Sequence, residues 1–574
     1  MVYVSNEEVV TLDIRPRVSG MTTVHLYAEL RNLHPELPIE VDDTGHHYIS
    51  GVTASSWGVR KGDIFAALPG AHTHGSRFAV DAVKAGAQCI FSDAEGVENA
   101  KKLLKDARIH RMPAFLTAEN PGELLGDIAA LMYGKPADCL RSFAVTGTNG
   151  KTTTTYILDD LLRKLGRVTG LIGTVEVRLA GDAIPAQLTT PMPADLQAML
   201  AILREKGGTD VAMEVSSHAL SQGRTKPVCF TVAGFTNLTQ DHLDFHKTME
   251  EYYEAKKVLF TPECSRRCIV CVDDAWGQRL ASETEASVPL AVFSRLEGEG
   301  WQVEDIQVGT PTRFMLRHTD GRELPVASFL PADFNISNVA LACVMLVESG
   351  VSIEGMRTVI GEGIDAHVPG RMEIVGRCPR VVVDFAHNAA ALESALKALR
   401  PTTAGKLIVV TGSAGERDVD KRPEMGRVVA RFADRVYITD DDPHMEDPAP
   451  IRAALLEGAL SVRGGGTTTE VALRQDAIRE AILDAGKQDT VLLAGRGHEE
   501  FMSTAAGDIP FDDRVEARKA IAEREAIAER EAGVKHVEGA EHVEGTENAE
   551  GAGSAQGEHS AQGAGNAGQK GNAL

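Results

Sequence analysis

Residues 146–153 read Thr-Gly-Thr-Asn-Gly-Lys-Thr-Thr, and no other stretch restricts the fold as much. A short apolar run, Phe143-Ala-Val145, precedes them and reads as a buried strand; a long helix is expected from about Thr152 to Leu165. A glycine-rich turn in that setting lets backbone N–H groups wrap an anion at the positive end of a helix. Gly147 and Gly150 supply the backbone freedom, Lys151 would reach the β- and γ-phosphates, and the Thr152 hydroxyl would ligate Mg²⁺. The generic pattern has a glycine six residues before the lysine, where this chain has Val145. The bland alternative, a glycine-rich turn with a chance Lys-Thr, fits the strand–loop–helix setting poorly. Alone, the loop implies a nucleoside triphosphate, which suits kinases, motors and ligases equally.

The rest of the chain repeats this alternation, so the fold class is α/β. At 574 residues the chain is too long for one ordinary core, and three or four domains are expected. Asp63–Gly70, a helix over Ala79–Ala85 and the strand Cys89–Ser92 form a small unit. After a break near Gly134-Lys-Pro136, strands are expected at Asp210–Val215, Phe230–Thr236 and Arg267–Val272. A third stretch begins near Pro369-Gly370, with strands at Arg380–Phe385, Lys406–Val410, Arg435–Thr439 and Thr490–Ala494. Each runs into a polar loop, and ligands of open α/β sheets bind outside the carboxyl ends of strands. The domains are therefore drawn at 1–138, 139–366 and 367–522. Two tandem copies of Ala-Ile-Ala-Glu-Arg-Glu, at 520–525 and 526–531, lead into a tail at 523–574 that has little apolar bulk past about 533 and is expected to be disordered.

The net charge is −23; residues 521–574 hold ten Glu against four Lys or Arg, which leaves −17 for the remainder. Such a surface argues against nucleic acid or an anionic membrane as partner, but not against an anionic substrate held by local N–H groups and cations. The opening MVYVSNEEVV has no basic or apolar leader segment, and no apolar run approaches a membrane span. The eight cysteines are scattered, so reduced thiols and a cytoplasmic location are expected. Cys264, Cys268 and Cys271 imitate metal ligands, but CIVCV reads as a buried strand.

TGTNGKTT resembles the phosphate loop of the Mur ligase family, and further segments agree in order. They are Met213–His218, Asn237–Asp244, Tyr253–Lys256, Phe334–Asn338, Pro369–Glu373, Gly412–Arg417 and Gly495–Glu499, the last two closest to tripeptide-forming members. The resemblance spans roughly residues 50–515. It implies a uridine-binding first domain, a P-loop-type parallel-sheet ATPase domain, a Rossmann-like C-terminal domain and a monomer. It also implies an ATP-dependent ligase of peptidoglycan synthesis with ATP and Mg²⁺ as cofactors. The substrate would be UDP-N-acetylmuramoyl-L-alanyl-D-glutamate, whose carboxylate becomes an acyl phosphate attacked by a free amino acid.

By the same resemblance, Gly147, Thr148, Asn149, Gly150, Lys151, Thr152, Thr153, Asn335, Arg371 and Asp384 bind ATP. Thr152, Glu214, His242 and a carbamylated Lys256 serve the metal, and Lys151, Glu214, His242 and Lys256 form the catalytic set. Ser56, Thr189, Thr190, Ser216, Gln222 and Arg224 would contact the UDP-precursor. Trp57 stands where an Arg is usual, His74 where an Asp is usual, and Asn388-Ala-Ala390 where Thr-Pro-Asp is usual.

Arg417 would pair with the α-carboxylate of the incoming amino acid, and Asp441, Asp442, His444, Gly495 and Glu499 complete that site. Diaminopimelate-adding members resemble Asp-Asn-Pro-Arg where this chain has Asp441-Asp-Pro-His444. A neutral imidazole grips a distal carboxylate less well than a guanidinium does. Asp440, Asp441, Asp442, Glu446, Asp447 and Glu499 crowd the region with negative charge. L-lysine or L-ornithine is therefore expected over meso-diaminopimelate, unless some of these acids cap the next helix. Two other readings compete: a folylpolyglutamate synthase-like ligase, which should lack the first domain, and a non-catalytic paralogue that binds UDP-precursors.

Overall fold

The computed structural model describes residues 15–70, 73–284, 286–296 and 298–544, the last fourteen as backbone. Three large sheets follow one another along the chain, beside two small two-stranded ones, Met21–Thr22 with Tyr48–Ile49 and Phe501–Thr504 with Gly507–Pro510. The first has five strands in the order Glu40–Asp42, Ala114–Thr117, Cys89–Ser92, Asp63–Ala66, Gly51–Thr53, all parallel but the first. Ile64, Cys89, Phe91 and Leu116 point into its core beneath the helix Pro121–Met132.

The second sheet has eleven strands. Its parallel centre orders Thr169–Ile172, Asp210–Glu214, Arg141–Thr146, Val232–Phe235, Cys268–Cys271 and Leu290–Ser294. Phe143, Val145, Ala212, Val232 and Ile269 face one core beside the helix Phe334–Glu348; Ala144, Met213, Ala233, Cys268 and Val270 face the other. Burial on both faces is why these strands read as continuous apolar runs. Cys268 and Cys271 are buried strand residues, as CIVCV implied. Both edges carry antiparallel strands that sequence reading passed over: Glu176–Leu179 with Asp182–Pro185, and Trp301–Gln307, Thr312–His318 and Glu323–Ser328. The last two join through Asp320-Gly321, a two-residue hairpin signal in which Gly321 takes φ +93°.

The third sheet orders Glu373–Arg377, Arg380–Asp384, Thr490–Ala494, Leu407–Thr411, Arg435–Ile438 and Thr467–Glu470, parallel after the first pair. Its four expected strands are present within a residue or two at their ends.

The chain divides into two units, residues 1–520 and 521–574. The final helix runs Asp513–Glu544 and so crosses the boundary drawn at 522. The expectations for the tail beyond Glu544 and for MVYVSNEEVV lie outside the described residues. Among those described, no helix is long and apolar enough to cross a membrane.

Candidate active site

The phosphate loop leaves the strand Arg141–Thr146 and enters the helix Lys151–Lys164. Gly147 (φ +143°) and Gly150 (φ +89°) occupy conformations that side chains resist. A Cβ on Gly147 would lie 1.9 Å from Thr236 Oγ1, and one on Gly150 2.3 Å from Asn338 Oδ1. Residues 236–239 mould the loop: Asn149 N–H donates to Asn237 Oδ1 (3.0 Å), and Thr236 Oγ1 donates to Asn149 O (2.7 Å). Thr148 N–H reaches Asn237 O at 2.9 Å, and Thr148 Oγ1 lies 3.2 Å from the Tyr252 hydroxyl. Asn335 Oδ1 accepts from Asn338 Nδ2 at 2.8 Å, so Asn335 buttresses the loop through Asn338. Thr153 is buried on the first turn of the helix.

Lys151 Nζ donates to Gly147 O (3.0 Å) and Thr148 O (2.8 Å), curled over its own loop. The Glu214 carboxylate, 1% exposed at the end of its strand, accepts from Thr152 Oγ1 (3.0 Å) and from Thr174 N–H (2.8 Å) and Oγ1 (3.0 Å). Thr174, missed in the sequence, stands just past the strand Thr169–Ile172, the kind of polar strand end that could have marked it. Thr152 and Glu214 thus offer adjacent oxygens beside the phosphate loop, a donor set that fits Mg²⁺.

His242 caps the short helix Leu243–His246, with its ring edge-on to His218 at 5.0 Å between centroids. Burial, with Lys151 and two other histidines nearby, pushes its pKa down to about 3, against the pull of Asp241. It is a neutral imidazole, the form that ligates metal. Lys256 is 1% exposed; its Nζ donates to Gly147 O (2.8 Å) and lies 4.5 Å from the Tyr252 ring centre. Burial, then the charge of Lys151, holds its ammonium well below the usual lysine range. The sequence could not show this, since neighbouring Lys257 has the same side chain and pairs on the surface with Glu283.

Across the seam, Arg371 from the third domain donates to Thr152 Oγ1 at 3.4 Å, with its guanidinium carbon 4.2 Å from the Phe385 ring centre. Asp384 holds the turn beneath it, accepting from Met372 N–H (2.7 Å) and Ala386 N–H (2.9 Å). Asn388 caps the helix Ala389–Leu399 and donates to Asp241 Oδ2 at 3.2 Å, so the departure from Thr-Pro-Asp supplies a cap and a cross-domain donor. Burial would raise the Asp241 pKa; hydrogen bonding and charge from His387, then Lys421, hold it well below the usual carboxylate range.

Thr189, Thr190, Ser216, Gln222 and Arg224 come together. Arg224 donates to Gln222 Oε1 (2.8 Å) and Thr190 O (3.2 Å), and Thr190 Oγ1 accepts from Ser216 N–H (3.0 Å). Thr189 meets Thr174 at 3.2 Å. Ser56 lies apart, in the short turn Ser56–Gly58 of the first domain, beside a Trp57 that is 96% exposed. His74 pairs with Asp93 at 3.3 Å.

In the region expected to take the amino acid, the crowd of acids is largely neutralised, which corrects the sequence expectation of unpaired negative charge. Asp440 pairs with Arg452, Glu446 takes a bidentate grip from Arg422 (2.7 and 2.8 Å), and Asp447 caps the helix Pro448–Leu460. Asp441, Asp442 and Glu499 bring oxygens within 4.8 Å of one another and share the fully buried Arg496, at 3.3, 2.6 and 3.8 Å. Burial, then Asp442, pushes the Glu499 pKa up to about 8 against the pull of Arg496. Gly495 (φ +118°) leaves room for this group, since a Cβ there would meet Asp441 Oδ2 at 2.5 Å. Half-buried His444 holds its turn by donating its N–H to Ser503 O (3.0 Å). Arg417 is exposed, near enough for its charge to weigh on His218.

Three family models match in order: "Mur ligase family, catalytic domain" at residues 48–133, "Mur ligase middle domain" at 145–346 and "Mur ligase, glutamate ligase domain" at 370–497. The chain belongs to the Mur ligase family, ATP-dependent ligases that form amide bonds. Among its relatives, the UDP-N-acetylmuramoyl-L-alanyl-D-glutamate–2,6-diaminopimelate ligase of Streptomyces coelicolor is 42% identical, over 86% of this chain and 96% of that one. The UDP-N-acetylmuramyl-tripeptide synthetase of Leifsonia xyli subsp. xyli is 41% identical, over 83% and 92%. A solved structure of a UDP-N-acetylmuramoyl-L-alanyl-D-glutamate–2,6-diaminopimelate ligase superposes with TM-score 0.57 and 27% identity, covering 86% of this chain and 99% of that one.

Proposed function

We propose that this ligase joins an amino acid to the D-glutamate carboxylate of UDP-N-acetylmuramoyl-L-alanyl-D-glutamate, acting as a cytoplasmic monomer in peptidoglycan synthesis. Residues 1–138 take the uridine end, 139–366 the ATP and 367–522 the amino acid. The observation that carries this reading is the meeting, at one seam, of the phosphate loop and the loops of the third sheet, joined by Arg371 on Thr152 (3.4 Å).

In the first step a carboxylate oxygen attacks the γ-phosphorus of ATP and ADP leaves, giving an acyl phosphate. The amine nitrogen then attacks the acyl carbon and loses its proton, and the C–O bond to phosphate breaks. Lys151 and Arg371 place positive charge where two anions must meet. One Mg²⁺ held by Thr152 and Glu214, and a second supported by His242, would offset the phosphate charge. Burial and the charge of Lys151 disfavour the Lys256 ammonium and so favour the free amine, the form that adds CO₂, and the resulting carbamate would supply an anion that the ammonium could not.

The amino acid is L-lysine or L-ornithine on this reading. Asp441, Asp442 and Glu499 share one arginine and leave net negative charge for a terminal ammonium, while His444 stands where a second carboxylate would need a guanidinium. A second reading, meso-diaminopimelate, is favoured by the name of the 42%-identical Streptomyces relative. Phosphate release by purified enzyme with ATP, Mg²⁺ and the UDP-dipeptide, offered each amino acid at equal concentration, separates them. Faster release with meso-diaminopimelate discards the first reading; no release with any of the three discards the ligase assignment to this dipeptide.

A further inference from the structure

One buried carboxylate in the seam is not accounted for by metal, nucleotide or substrate. Asp241 is 4% exposed. Its Oδ2 accepts from Asn388 Nδ2 (3.2 Å) and lies 3.3 Å from His387 Nε2; its Oδ1 accepts from His242 N–H (3.0 Å) and lies 3.7 Å from Lys421 Nζ. Its side-chain partners come from two loops of the third sheet: His387 and Asn388 follow the strand Arg380–Asp384, and Lys421 opens the helix Lys421–Phe432 beyond Arg417. Asn388 is itself fully buried, and its Nδ2 also lies 3.4 Å from Asn149 Oδ1 in the phosphate loop. Next to it, Gln240 Nε2 donates to Asp418 Oδ2 at 3.3 Å.

We infer that Asp241 is a positioning residue, a single carboxylate that docks the third domain on the phosphate loop and sets the spacing between the nucleotide and amino-acid halves of the site. A carboxylate loses its water at this seam only if donors replace it. The replacements arrive together only in one relative placement of the two domains, so the carboxylate selects that placement over looser ones. The His387 loop carries Arg371's stacking partner Phe385, and the Lys421 loop carries Arg417. One contact therefore registers both loops. The consequence for catalysis rests on the ligase reading; the docking itself does not.

The test compares wild type, Asp241→Ala and Asp241→Asn by energy transfer between dyes on Cys139 and Cys378, both exposed, with the partly exposed Cys229 and Cys264 changed to Ser. With ADP and Mg²⁺ bound, the wild type should give one narrow distance population. Asp241→Ala should give a longer or broader one, with Asp241→Asn between them because it keeps hydrogen-bonding capacity. In turnover, Asp241→Ala should lower kcat/KM for the amino acid by about thirtyfold or more while KM for ATP moves by less than about threefold. An unchanged distance population in an Asp241→Ala protein that binds ADP overturns the inference. If Asp241→Ala fails to bind ADP, Lys421→Met decides: a widened population supports the docking role, an unchanged one overturns it. Failure of amide formation in the wild type removes the ligase reading and leaves the distance measurement intact.

Discussion

Glu499 holds its proton to about pH 8 while its unfolded counterpart releases it near 4.5. The folded state therefore binds the extra proton across that window, and stability contributed by the neutral acid is lost as pH rises through it. Glu499→Gln should raise the melting temperature relative to wild type more at about pH 8 than at about pH 5, and equal differences would refute the assignment. If a terminal ammonium sits beside Glu499, binding ionises it. Calorimetry of L-lysine binding near neutral pH, in buffers of different ionisation enthalpy, should then show proton release that Glu499→Gln abolishes. Lys256 gives the second residue-scale prediction. Burial, then the charge of Lys151, disfavours its ammonium, which favours carbamate formation with dissolved CO₂. Enzyme freed of bicarbonate should lose activity and recover it on adding bicarbonate, whereas Lys256→Ala should be inactive under both conditions. Indifference of the wild type to bicarbonate would dismiss the carbamate.

Among the elements, the phosphate loop makes the strictest demand. Gly150→Ala adds a methyl 2.3 Å from Asn338 Oδ1 at φ +89°. It should abolish ADP binding measured by calorimetry while leaving the circular dichroism spectrum intact; retained binding would show that the loop yields. This element was legible in the sequence because a positive φ can be met cheaply only by glycine, which leaves a mark at a fixed position. The buried strands were legible too, because burial on both faces leaves an unbroken apolar run. The acidic loops were not. Asp440 and Asp442 look alike in the sequence, yet one belongs to Arg452 and the other to Arg496, partners brought by tertiary packing. Arg496 itself lay inside a quoted motif without being assigned a role, since nothing local says that a loop arginine will be wholly buried. The Asp320-Gly321 hairpin was readable from its turn and was passed over for the stronger parallel pattern.

At the scale of the whole molecule, Arg474 and Asp513 form a wholly buried ion pair, 2.6 Å apart, that ties the start of the final helix to the third domain. Removing one partner strands the other charge, at about 3–5 kcal/mol. Arg474→Met should lower the melting temperature by several degrees, and the double change Arg474→Met with Asp513→Leu should recover most of the loss. A double variant no more stable than the single one would argue against that accounting. The seam has a further consequence. Thr152 is gripped by Glu214 of one domain and Arg371 of another, so on the proposed reading the nucleotide site is built by both. A third domain transplanted from a relative to change the amino acid added would import foreign versions of Arg371, Asn388 and Lys421, and would retune ATP use along with specificity. Chimeras should be cut so that those three stay native and only the loops at 440–444 and 495–499 travel.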